Sequence, residues 1–176
     1  MKAILMIFAA LLFFGLSVGA ASSATPASLT GSMTPLQYLV GTWKCDTKVA
    51  AMNNMPASTH SGTMSFDVTD GNVLSYELEE SPYASAGFIG YSNQGVWWTT
   101  SADNFGGVTS ESSPGGQGGV IVMNGVTLQG GKNVSSRDTI TKSSDTKYED
   151  LYETEQGSNW SMVADSVCTK TSNTPQ

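Results

Sequence analysis

Few side chains in this chain are equipped for covalent chemistry, and none stands in a spacing that would arm it. The 176 residues include one histidine, His60, and two cysteines, Cys45 and Cys168. One His cannot build a His-based metal dyad or triad, and zinc sites of the usual Cys/His kind would need cysteines that stay reduced. The two cysteines lack the Cys-x-x-Cys spacing that lowers a thiol pKa, so no redox role is expected. No serine sits in a Gly-x-Ser-x-Gly elbow. The glycine cluster at 115–119 lacks the Lys and Ser/Thr of a phosphate loop and reads as a hairpin tip. Carboxylates cluster in two places: Glu77, Glu79 and Glu80, then Glu149, Asp150, Glu153 and Glu155 around Tyr148 and Tyr152. Two carboxylates about 5 or 7–9 Å apart in a cleft would suit glycoside hydrolysis. On alternating strand positions they read instead as a solvated face. Calcium would call for a ligand loop of the Asp-x-Asp type, and there is none. The expectation is a protein without catalytic residues, metal or cofactor.

The elements that position these residues are almost wholly β. Short runs rich in Thr, Val, Tyr and Trp recur between Gly, Asn, Asp and Ser clusters, which is the pattern of an antiparallel sandwich or barrel. Strands are predicted near 41–49, 58–68, 73–80, 85–92, 95–102, 106–112, 119–123, 126–129, 134–143, 147–154 and 158–169. Turns fall between them, with Asn124-Gly125 read as one. A helical turn is predicted at Thr34–Leu39, with Thr34 as N-cap and Pro35 in the first helical position. Ahead of it, Lys2 and the apolar run Ala3–Leu16 lead to small residues at Val18-Gly19-Ala20 and Ser22-Ser23-Ala24. This is the pattern of a removable signal peptide, and the run is shorter than a bilayer span of roughly 20 residues. The organisation expected is a signal peptide over 1–24 cleaved near 20–24, a flexible tail over 25–33, a barrel over 34–170 and a flexible tail over 171–176. Fifteen acidic and eight basic residues give a net charge of −7. Loss of Lys2 with the leader makes it −8. That balance disfavours nucleic acid and anionic membrane as partners.

Strand parity places side chains on faces. His60, Gly62, Met64, Phe66 and Val68 share one face, and Leu74, Tyr76 and Leu78 share the next strand's inner face. Gly41, Trp43 and Cys45 share a face of the first strand, as do Trp160, Met162, Ala164, Ser166 and Cys168 of the last. First and last strands lying side by side would set the cysteines facing each other. In an oxidising compartment a Cys45–Cys168 disulfide is then favoured over two buried thiols. Tyr148, Asp150 and Tyr152 share one face and Val96, Trp98 and Thr100 another, giving an aromatic wall with a polar handle, as small-molecule pockets have. The candidate ligand contacts are His60, Met64, Tyr76, Trp98, Tyr148 and Tyr152.

Leu39-Val40-Gly41-Thr42-Trp43, a Gly-x-Trp on the first strand after a helical turn, resembles the opening of lipocalin-like barrels. Phe88-Ile89-Gly90-Tyr91, Trp97-Trp98, Arg137-Asp138-Thr139-Ile140-Thr141 and Gly157-Ser158-Asn159-Trp160 resemble, in that order, secreted bacterial lipocalin-like domains of unassigned function. The resemblance implies an all-β, antiparallel up-and-down lipocalin-like barrel of eight to ten strands with an internal cavity, and no enzyme activity. It also implies barrel closure by Gly41 and Trp43, with an Arg stacked over the Trp. Arg137, the one arginine, is the candidate, the other reading being a surface Arg paired with Asp138 or Glu149. Haem-binding relatives, the nitrobindins, place a ligating His late in the chain; here none follows His60, which disfavours haem.

The expected function is a secreted or periplasmic barrel that binds a small apolar or amphipathic molecule in its interior without catalysis. The alternative is a solid barrel serving as a structural or protein-interaction module through its loops. A barrel of this size is either filled by its own side chains or holds one small ligand, and the sequence leaves that open.

Overall fold

The computed structural model describes residues 27–51 and 56–175; the leader predicted over 1–24 lies outside them. A 3-10 helix, Gly31–Leu39, is followed by β1 (Gly41–Val49), β2 (Ser58–Asp70), β3 (Val73–Glu80), β4 (Tyr83–Tyr91), β5 (Trp97–Asp103) and β6 (Val108–Ser113). Then come β7 (Gly116–Gln117), β8 (Val120–Gln129), β9 (Lys132–Ser144), β10 (Lys147–Gln156) and β11 (Asn159–Ser172). All pairings are antiparallel. The two-residue β7 folds onto the start of β8, β6 pairs with β8, and β1 pairs with both β2 and β11. Ten strands therefore close into an up-and-down barrel, which removes every long sheet edge.

Closure sets Cys45 directly opposite Cys168, and the two form a disulfide across a separation of 123 residues. This confirms the pairing expected from parity. The helix caps one end of the barrel: Met33, Leu36 and Leu39 are fully buried there against Trp43, Leu74 and Tyr148. Its first residue is Gly31 rather than Pro35. Thr30, not Thr34, is the N-cap residue, and Pro35 lies inside the helix. The segment before it is packed as well. Leu29 is buried, its N–H donates to Gln37 Oε1 at 2.7 Å, and the Thr30 N–H donates to Gly71 O at 2.7 Å. The predicted loose tail over 25–33 is thus part of the plug from Leu29 onward. At the other terminus β11 runs on to Ser172, and Thr42 Oγ1 donates to Thr174 O at 2.9 Å, so the last strand outlasts its predicted end at 169.

Two glycines do specific work. Gly41 sits at φ 122°, where a Cβ would lie 2.2 Å from Ser172 O; only glycine lets the first strand leave the helix this close to the last. The sequence predicts a turn at Asn124-Gly125, yet β8 passes straight through it. A Cβ there would lie 2.0 Å from Ser110 O, so this glycine serves the close approach of β6 at the closing seam.

Candidate functional site

The interior divides into two chemistries along the barrel axis. At the helix end it is apolar, built from Trp43, Phe66, Leu74, Ile89, Trp97, Ile121 and Met123 with the disulfide. Trp43 is fully buried, donates its indole N–H to Leu39 O at 2.6 Å, and meets the Tyr148 ring edge-on at 4.8 Å. Towards the far end the inward positions turn polar and acidic: Thr47, Glu80, Thr109, Glu111, Thr127, Ser136, Asp138, Asp150, Tyr152 and Thr154.

The register sorts the predicted contacts. Met64, Tyr76 and Tyr148 point inward and line a cavity of about 60 Å³, together with Phe66, Ile89, Thr99, Met123, Asp138 and Asp150. Tyr152 is also inward, its hydroxyl 2.5 Å from Thr127 Oγ1. His60 lies on the inner face near the far mouth, hydrogen-bonded to Ser58 at 2.8 Å and away from the cavity. Trp98 does not join them. β5 pairs Ile89 with Thr99 and Tyr91 with Trp97, so Trp97 faces in and Trp98 covers the outer side of Gly90. Trp97 is buried and donates its indole N–H to Ser32 O at 3.2 Å, tying the plug to the wall.

The last strand holds the second correction. Its pairing with β10 shifts at Tyr152/Glu153: Ala164 opposes Tyr152, but Met162 opposes Glu153. A bulge there inserts one residue and reverses facing. Ala164, Ser166 and Cys168 stay inside, while Trp160 and Met162 are exposed on the outside. Arg137 is outside too. It stacks 4.5 Å over the Trp160 ring and binds Glu153 at 2.6 Å, rather than Trp43, Asp138 or Glu149. The cation over Trp43 is Lys170, 4.8 Å from the ring centroid, and its ammonium donates to Val40 O at 2.9 Å. Lys170→Met is accordingly expected to lower stability by about 1–3 kcal/mol and Arg137→Ala by less than about 1 kcal/mol, read as urea midpoints. Equal losses would contradict this assignment.

Three further carboxyls face inward: Glu80, which the sequence groups with a solvated face, and Glu111 and Asp138, for which the sequence predicts no interior role. Glu80 is buried and accepts from Thr47 Oγ1 at 2.6 Å. Glu111 is buried and accepts from Ser136 Oγ at 2.5 Å. Burial raises the pKa values of Glu111 and Asp138, and Asp138 rises further because the charges of Asp150 and Glu111 add to the effect. Asp150 is pushed up to about 7, first by burial and then by Glu111 and Asp165. The signal for Asp138 was available: it shares parity with Ile140 on β9. Glu111 sits in the polar run Thr109–Ser113 and offers none.

Among the described residues no cluster of His, Cys, Asp and Glu is placed to hold a metal ion, and no helix is long and apolar enough to cross a membrane. Compared by sequence, the chain matches no protein-family model and no curated protein significantly. Compared by structure, it is similar to Rv2717c from M. tuberculosis at 12% identity and a TM-score of 0.61, over 82% of this chain and 99% of that one. Weaker likenesses are to EF1p2_mFAP2b bound to DFHBI (12% identity, TM-score 0.44, 80% and 100% covered) and to a redesigned beta barrel, b11L5F_LGL (14%, 0.39, 82% and 99%). The first likeness agrees with the closed antiparallel β-barrel that the strand order shows and supports nothing narrower.

Proposed function

We infer that this protein is an extracytoplasmic, lipocalin-like barrel that holds one small amphipathic molecule in its interior and catalyses no reaction. The observation that carries the reading is the two-sided cavity: Phe66, Ile89 and Met123 supply an apolar wall, and Asp138, Asp150, Tyr76 and Tyr148 a polar one. A few convergent polar groups in an apolar lining are what orients a bound ligand. Its size restricts the occupant. At about 60 Å³ it is well below the roughly 150 Å³ of a cavity that takes up benzene, so the ligand, or the part of it seated there, has fewer than about six non-hydrogen atoms. The disulfide supports an oxidising, secreted or periplasmic location.

A second reading, an interaction module working through its surface, is favoured by the narrowness of the cavity and by Phe88, Val108, Val126 and Leu128, which stand exposed on the outside of β4, β6 and β8. Filling the cavity separates the two. Small organic molecules that raise the melting temperature of the wild-type protein are expected to have no effect on Ile140→Phe, whose larger side chain occupies the same space. A panel that shifts neither protein would overturn the carrier reading.

A further inference from the structure

Charge is unevenly spread over the outer wall of the barrel. The outward positions of β4, β5, β6 and β8 hold no charged side chain. Those strands contain two: Glu111, which is buried, and Asp103, whose carboxylate accepts the N–H groups of Phe105 and Gly107 at 2.8 Å. Phe88, Val108, Val126 and Leu128 are exposed on this face instead. Along one border runs β3, where Glu77 and Glu79 stand outward and exposed.

At that border the wall is hollowed. A trough of about 280 Å³ crosses β3, β4 and β5, lined by Glu77, Glu79, Ala84, Ala86 and Ala102. Register accounts for it: Glu79 lies opposite Ala84, Glu77 opposite Ala86, and Ala86 opposite Ala102. Three neighbouring methyl groups leave a low apolar floor between the taller glutamates and Val108, which lies opposite Ala102. Phe88, the next outward residue of β4, stands at one end.

The rim decides what fits. Among the described residues, ion pairs take up Asp145, Glu153 and Asp165 but neither glutamate of the trough. An apolar floor beside two carboxylates without a counter-charge matches a side chain with a hydrocarbon stem and a cationic head, as lysine and arginine have. Alternate residues of a strand are about 7 Å apart, so Glu77 and Glu79 are spaced as two such side chains are on an extended chain laid along β4. A net charge of −7 repels a second copy and an anionic membrane, and it attracts a basic segment.

We propose that this trough docks an extended basic segment of a partner protein, with lysine or arginine side chains two residues apart. Their stems cover Ala84, Ala86 and Ala102, and their charged heads meet Glu77 and Glu79. The site is on the outside of the barrel, so it goes beyond the interior-ligand reading and holds or fails independently of it.

The test is a titration of the intact protein at about pH 7, followed by amide NMR shifts, with three capped pentapeptides in which serines alternate with a variable residue at the second and fourth positions. That residue is lysine, norleucine (the stem without the charge) or diaminopropionic acid (the charge on a short stem). The lysine peptide is expected to shift the amides of Ala84, Ala86 and Ala102 and to bind at least fivefold more tightly than the other two. Its affinity is expected to fall at least threefold between about 0.05 and 0.5 M salt. Glu77→Gln combined with Glu79→Gln is expected to weaken it at least fivefold. Ala86→Phe, which fills the floor and keeps both carboxylates, is expected to do the same. Glu149→Gln combined with Glu155→Gln removes as much charge from exposed positions of β10 and is expected to leave the affinity within twofold. Circular dichroism of each variant separates loss of binding from loss of fold. Equal losses in the two glutamine pairs would show that the peptide follows overall charge and would overturn the site. So would equal binding of the three peptides, an affinity untouched by Ala86→Phe, or no shift at about 5 mM peptide. Shifts at the same amides that grow with protein concentration alone would assign the trough to a second copy and overturn the proposal as well.

Discussion

Replacing Cys45 and Cys168 together by alanine is expected to lower stability by about 4 kcal/mol and the melting temperature by roughly 10 °C. The bridge spans 123 residues and joins the first strand to the last. Cutting it frees nearly the whole described chain in the unfolded state, where loop-closure entropy is largest. Both cysteines are buried beside Trp43 and Tyr148, and Cys45 Sγ lies 4.0 Å from the Tyr148 hydroxyl. Alanine is small enough to fit, so the loss reports the cross-link rather than a clash. The β1–β11 ladder continues on both sides of the pair, and the reduced protein should still close its barrel. Differential scanning calorimetry of the double variant beside wild type gives the number. A change below about 1 kcal/mol would show that the seam is held by the strand ladder and the plug alone.

The second large effect is in pH. Asp150 rises from 3.8 to about 7 on folding, and Glu111 and Asp138 rise as well. A carboxyl with a raised pKa is protonated in the folded state over a range where the unfolded chain has already ionised, so folding binds protons there and stability falls as pH rises. For Asp150 the stabilising proton is fully in place below about pH 4 and is lost through about pH 7. The change amounts to on the order of 4 kcal/mol at about 1.4 kcal/mol per unit. After burial, the groups that set this value come from two strands, Glu111 on β6 and Asp165 on β11; Tyr38 of the plug, Tyr76 on β3 and Tyr148 on β10 each feel the Asp150 charge and are phenols kept neutral by their own raised pKa. Urea midpoints measured between about pH 4 and 8 are expected to fall. In Asp150→Asn, which fixes the site in its neutral form, the fall should be shallower and the protein more stable than wild type at pH 8. A midpoint that climbs with pH in wild type, or an identical slope in the variant, would contradict the burial of this carboxyl.

The barrel is legible in the sequence and its site only partly, because facing depends on pairing as well as on alternation. Alternation is a strong signal where apolar and polar residues truly alternate, as in Leu74-Ser75-Tyr76-Glu77-Leu78, and it placed Met64, Tyr76, Tyr148, Asp150 and the paired cysteines correctly. It fails where a strand is amphipathic in neither sense. Trp97-Trp98 offers an aromatic to each face, and only the pairing with β4 decides that Trp97 goes in. It fails at a bulge, since nothing local in Trp160–Ala164 marks the extra residue that turns Trp160 and Met162 outward. It fails most consequentially where the interior is polar. Glu80, Glu111 and Asp138 look like surface residues because carboxylates usually are, and here the barrel encloses them. Arg137 beside Asp138 suggested a surface ion pair, yet neighbours on a strand face opposite ways, and the arginine went to Trp160 and Glu153 while the aspartate went inside.

Those enclosed carboxyls make the carrier reading testable in one step. Native mass spectrometry of the protein, purified without detergent and exposed at about pH 8 to a mixture of small amines, alcohols and acids, reads occupancy directly. The account predicts a single non-covalent adduct of low mass, one per chain, that is absent from the Ile140→Phe variant. A protein that remains at its bare mass throughout, or that carries the same adduct when the cavity is filled, would contradict an interior binding site.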